Sequence, residues 1–144
     1  ELRSSLKRLT LQVIEGEMNR IISTDNELRK LKKEEFASGK RPDGTIIGTY
    51  RSLSYRKKKQ AKNPRARGFV DLIDKGDFTN NLFVQKISKK KYNFFSTDSK
   101  ATSLFSRYKG KKSSLQGLNQ VTFNRRQVQY VPMLNKRLRS KLGL

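Results

Sequence analysis

The segment from Pro42 to Val84 constrains the fold most, because turn formers bracket a basic stretch that contains no carboxylate. Gly39, Pro42, Asp43-Gly44 and Gly48 are loop and turn residues, so 39–50 is expected to be a loop. Ser52 to about Gln60 then predicts a short basic helix, stopped by Asn63-Pro64. Phe69–Ile73 has the β-branched and aromatic bias of a strand, and Lys75-Gly76 turns the chain towards Leu82-Phe83-Val84. Basic residues interleaved with turns in this way belong to an ordered module and not to a tail.

On either side of this unit the hydrophobic periodicity is helical. Leu2, Leu6, Leu9 and Val13, continued by Ile14, Met18, Ile21 and Ile22, predict a helix over 1–22, with Gly16 as a weak interruption. Thr24 or Asp25 is expected to cap a second helix, with Glu27 completing a capping box from Thr24. Leu28, Leu31 and Phe36 are its expected buried side, and Gly39 its end. Leu82–Ile87 and Tyr92–Thr97 predict a hairpin turning at Lys89-Lys90. Phe94 and Phe95 then face opposite sides, one to the core and the other to a base or a subunit contact.

Asp98 is expected to cap a helix with Ala101, Leu104, Phe105 and Tyr108 on one face, ended by Gly110. Residues 109–123, rich in Gly, Ser, Lys and Gln, predict an exposed loop or arm. Asn124 with Gln127 resembles a capping box for the last helix, which Pro132 starts or kinks. The expected fold class is α+β: a small twisted antiparallel sheet or partial barrel with flanking N-terminal and C-terminal helices. The chain is expected to be one domain over 1–144. Its parts are a helical arm (1–38), an α+β core (39–108), a loop or arm (109–123) and a C-terminal helix (124–144).

The charge pattern bears on partners. A net charge of +22 repels itself in a compact monomer and seeks a polyanion or an acidic protein surface. No carboxylate follows Asp98, and none lies between Asp43 and Asp71. Leu, Ile, Val and Phe make up roughly a quarter of the chain, above the disorder-prone range, so the expected core is lean and completed by neighbours. The absence of Cys and His removes disulfides, thiolate nucleophiles and His-ligated metal sites. No apolar run approaches the ~18 residues of a membrane span, and no signal-peptide pattern is visible.

Two cationic segments are the candidate anionic contacts, for DNA or an acidic subunit. One comprises Arg56, Lys57, Lys58, Lys59, Lys62, Arg65 and Arg67; the other comprises Arg125, Arg126, Arg137, Arg139 and Lys141. The plain alternative for the first run is a solvated helix face or one that meets an acidic subunit; for the second it is a helix that docks on a neighbouring chain, the favoured reading there. Leu134, Leu138 and Leu142 share a helix face and are the candidate subunit-docking residues. Asp71, Asp74 and Asp77 have the types needed for metal-dependent nuclease chemistry, but their spacing suits turns better, so no catalytic residue, metal or cofactor is expected.

Residues 42–84 resemble the virion-morphogenesis and tail-completion proteins of tailed bacteriophages. The matching pieces are Asp43-Gly44, Tyr50 to Lys59, and Asp74-Lys75-Gly76 with Phe78 and Leu82, about a third of the chain. Lys75 stands where that family usually has Thr, and the helix is more basic than is usual there. The resemblance implies a non-enzymatic head–tail connector, a ring of copies in the virion neck around the DNA channel, made in the host bacterial cytoplasm. Its implied partners are copies of itself, portal, adaptor or tail proteins, and packaged DNA touched without sequence readout. The alternative is a non-enzymatic RNA- or DNA-binding module such as a ribosome-associated protein, which the charge alone fits as well.

Overall fold

The computed structural model describes residues 1–89, 91–109 and 114–143, without the side chain of Leu6. Its elements run α1 (Leu2–Ser23), α2 (Asn26–Ala37), α3 (Leu53–Lys62), a 3-10 turn (Pro64–Ala66) and α4 (Asp77–Asn80). After them come β1 (Leu82–Ser88), β2 (Lys91–Ser96), α5 (Ala101–Arg107) and α6 (Gln120–Leu142). The class is mixed α+β, with a two-stranded antiparallel sheet that does not close into a barrel.

The hairpin forms because its alternation divides cleanly into two faces. Leu82, Val84 and Phe94 point into the core, while Phe83 and Phe95, paired across the strands, stack with centroids 5.8 Å apart. Lys90 of the expected turn lies outside the described residues.

One hydrophobic cluster joins Ile21 and Ile22 of α1, Leu28 and Phe36 of α2, Phe78 of α4, the inner face of the hairpin and Tyr130 of α6. The N-terminal 1–38 is therefore an arm only in part, since α2 is built into the core. Asp25 alone caps α2, accepting from the Glu27 N–H at 3.0 Å. The expected capping box is not formed, because the Thr24 hydroxyl turns back to the Arg20 carbonyl at 2.6 Å.

Five further expectations are corrected. Phe69–Ile73 is not a strand: it makes one bridge, Thr49 to Phe69, and Leu72 adopts φ 52°. The reason is Asp71, buried beside it, whose carboxylate accepts from the Ile73 N–H and bends the backbone out of extension. Asp98 does not cap α5; it lies ahead of Lys100 and accepts from the Lys100 N–H at 2.8 Å. Gly110, the expected end of α5, lies outside the described residues, and Tyr108 occupies the C-cap.

The described part of 109–123 is not an exposed arm. Leu115 is buried, and the Gln116 carbonyl accepts from the Phe94 N–H at 2.8 Å. Nor does Asn124 start the last helix. Asn119 caps α6, its Oδ1 accepting from the Val121 and Thr122 N–H groups at 3.1 and 3.2 Å. Asn119 is itself fixed by its N–H to Glu35 (3.1 Å) and its amide to the Pro42 carbonyl (2.9 Å), both far away in sequence. Pro132 neither starts nor ends α6, which runs through it. The backbone bond that proline forfeits belongs to the carbonyl of Val128, a residue on the helix's exposed side.

Candidate functional site

The long helices set the geometry. Asp25, just after α1, receives the Arg126 guanidinium at 2.6 and 2.8 Å and the Tyr130 hydroxyl at 2.7 Å. Glu17, two turns earlier, meets Arg137 at 3.5 Å and Lys141 at 2.7 Å. Moving backward along α1 thus moves forward along α6, so the two helices run antiparallel. Burial alone would raise the Asp25 pKa, but hydrogen bonds from Arg126 and Tyr130 outweigh it and hold the carboxyl below its usual range. Lys141, followed by Arg20 and Arg137, likewise holds Glu17 low.

These pairings fix where α1 leaves its own fold. Lys141 lies at the C-terminal end of α6, and Lys89 at the tip of the hairpin reaches Glu15 at 3.6 Å. The helix continues N-terminally beyond both, so residues 2–13 project by roughly 18 Å at ~1.5 Å per residue. Leu2, Leu9 and Leu11 on this projection are 80%, 59% and 57% exposed.

Of the first cationic segment, Lys59 does not face outward. It is 6% exposed, donating to Asp71 at 2.8 Å and to the Ile73 carbonyl. Lys62 donates to the Asp74 carbonyl at 2.8 Å, and Arg56 lies over the Phe69 ring at 5.5 Å. Gly68 permits that stacking, since a Cβ there would stand 2.9 Å from the Arg56 Cγ. Lys57, Lys58, Arg65 and Arg67 remain exposed, with no carboxylate within ion-pair reach among the described residues.

In the second segment, Arg126, Arg137 and Lys141 hold α1 in place, and Arg125 and Arg139 are left facing solvent. Leu134 packs on the chain's own core and Leu138 is half-buried, whereas Leu142 is exposed. The two cationic segments sit on different supports: α3 packs chiefly on the 3-10 turn, and α6 on α1 and α2.

The aspartates of the central unit have structural work. Asp71 is an ionic hub that accepts from Lys59, Asn63 (3.0 Å) and Tyr50 (3.4 Å). Burial, reinforced by the Asp71 charge, pushes the Tyr50 phenol well above its ordinary pKa. Asp74 lies 3.7 Å from Lys62, and Asp77 is the first residue of α4 after Gly76, whose φ is 92°. A cleft of about 340 Å³ opens beside this hub, walled by Tyr50, Tyr55, Leu104 and Tyr108. Among the described residues no cluster of His, Cys, Asp or Glu is placed to hold a metal ion.

Sequence reasoning missed the most buried cation, Lys32 of α2. It is 0% exposed, paired with Glu35 and lying 4.4 Å from the Phe36 ring centroid. Burial lowers its pKa to about 8, against the opposing pull of Glu35. No helix is long and apolar enough to cross a membrane among the described residues. Comparisons with protein-family models, curated proteins and solved structures give no match for this chain.

Proposed function

We propose that this chain is a structural virion protein of the bacteriophage head–tail connector, a neck-ring or tail-completion subunit that assembles with copies of itself around the DNA channel. The observation that carries the reading is the projecting half of α1, whose Leu2, Leu9 and Leu11 are exposed N-terminal to the pairings of Glu15 and Glu17 with Lys89 and Lys141. Apolar side chains on a helix with nothing behind them favour burial on a neighbour, at roughly 25 cal/mol per Å² removed from water. A head-to-tail contact of this kind generates a ring when its rotation closes. The reading also rests on the resemblance over 42–84, where a turn at Asp43-Gly44, α3, a turn at Gly76 and β1 follow one another. Lys57, Lys58, Arg65 and Arg67 would face DNA phosphates without reading sequence.

Electron microscopy and light scattering of the purified chain test this, with closed homo-oligomers as the expected result. A strict monomer, even after addition of portal protein, contradicts it. The second reading, a monomeric RNA- or DNA-binding module, is favoured by the same unpaired cations. It requires tight polynucleotide binding by the monomer, with affinity falling steeply as salt rises.

A further inference from the structure

The outward side of α6 carries a second unpartnered seam, distinct from the α1 projection. Val121, Val128, Asn135 and Leu142 recur in one heptad frame, with Val131 and Leu138 three residues after the second and third of them. That is the a/d pattern by which one helix packs against another, here with Asn135 at an a position. Val121, Val128 and Val131 are 59%, 70% and 58% exposed, and Leu142 is 72% exposed. The opposite side of the helix is already occupied, because Arg126 and Tyr130 bind Asp25, the cap of α2, and Lys141 binds Glu17 of α1.

The charges beside the seam select its occupant. Arg125 and Arg139 flank it with no carboxylate partner among the described residues, and the sequence has no acidic side chain after Asp98. A second α6 would set these arginines against its own. The projecting part of α1, with Arg3, Lys7 and Arg8, is equally basic. Like charges beside a helix seam oppose pairing, and opposite charges choose the partner.

We infer that the Val121–Leu142 seam of α6 docks an acidic amphipathic helix of a different protein, with apolar residues in heptads, Glu at the flanking positions and a polar residue facing Asn135. This inference does not rest on the ring assembly proposed above, since the seam and the α1 projection are separate surfaces. A seam of this span covers roughly 30 Å, the length of three heptads.

Titration of the full chain with synthetic helices tests it. The probe has Val and Leu in the seam, Asn opposite Asn135 and Glu on the flanks; one control scrambles the seam at constant composition, and another replaces Glu by Lys. The acidic heptad probe is expected to bind about tenfold or more tightly than the scrambled one, because only it buries the valines. Val128→Ser with Val131→Ser is expected to erase that difference while leaving the circular-dichroism spectrum unchanged. Arg125→Gln with Arg139→Gln, which keeps the seam, is expected to weaken the acidic probe and not the Lys version.

Equal binding of heptad and scrambled probes would mean mere charge adhesion and overturns the inference, as does no binding at all. Loss of self-association in the serine variant also overturns it, because the occupant is then a second copy. Should the serine variant fail to fold, the arginine variant decides alone.

Discussion

The two halves of α1 share one helix and almost nothing else. Residues 14–23 pack against α6 and the hairpin, burying Glu17, Ile21 and Ile22, and Glu17 is held by cations from the far end of the chain. Residues 2–13 have the same apolar spacing, yet Leu2, Leu9 and Leu11 among them are mostly exposed. Periodicity therefore announces a helix with something to bury; only the position of neighbouring elements decides whether the burial is internal. The helix stays continuous because the inner half anchors it, and elongation from an existing helix avoids the cost of nucleation.

The sharpest way to break this contrast is to attack the inner anchor. Asp25→Ala leaves Arg126 and Tyr130 facing each other across a buried gap, and is expected to cost about 3 kcal/mol in urea unfolding. A loss below about 1 kcal/mol, the level of a surface ion pair, would mean that α6 does not hold α1 through this hub.

Next in size is the pH response of Lys32. Its folded pKa, about 8, lies below the ordinary 10.5, so folding disfavours the bound proton. The penalty is complete below the folded value and relieved as pH rises towards the unfolded one. Unfolding free energy is expected to rise by about 1 kcal/mol or more between pH 8 and about 9.5, before tyrosine ionisation intervenes. Lys32→Met is expected to flatten that rise, and an unchanged slope in the variant would remove Lys32 as its source.

Gly16 lies near the boundary of the two halves, and a Cβ there meets nothing within 4 Å. Gly16→Ala is expected to stabilise the chain by about 0.5–1 kcal/mol in thermal melts, through helix propensity alone. Smallest of all is the stability effect of Leu2→Ser with Leu9→Ser, expected to stay within about 0.5 kcal/mol for the isolated subunit. A larger loss would show that the outer half is supported by its own chain after all.

Much of the architecture was legible from local signals. The α1 and α5 periodicities, the hairpin alternation and the Asn63-Pro64 stop each depend on residues close in sequence, and each appears where expected. What escaped depends on distant partners. Nothing near Phe69–Ile73 reveals that Lys59 and Tyr50 will converge on Asp71 and override strand propensity. Asn119 looks no better a cap than Asn124 until Glu35 and Pro42 are brought to it. Lys32 with Glu35 reads as a solvated ion pair on a helix surface, and only the packing of α2 beneath Phe94 buries it.

The candidate site was legible to the same degree. Lys57, Lys58, Arg65, Arg67, Arg125 and Arg139 are exposed as a charge argument expects. Lys59 and Arg126 belong to the same runs, yet each is consumed by an internal aspartate. A run of like charges identifies a surface, but the few carboxylates of a basic chain decide which members reach it. The candidate docking face is displaced in a similar way. Leu134 turns inward, and the outward face of α6 is instead built from Val121, Val128 and Val131.

Sedimentation equilibrium of the wild-type chain beside the Leu2→Ser, Leu9→Ser variant tests the central claim most directly. The account predicts a wild-type assembly of several subunits and a variant that sediments as a folded monomer with an unchanged melting temperature. Equal masses for the two proteins, whether both monomeric or both assembled, would contradict the assignment of the projecting half of α1 as the subunit contact.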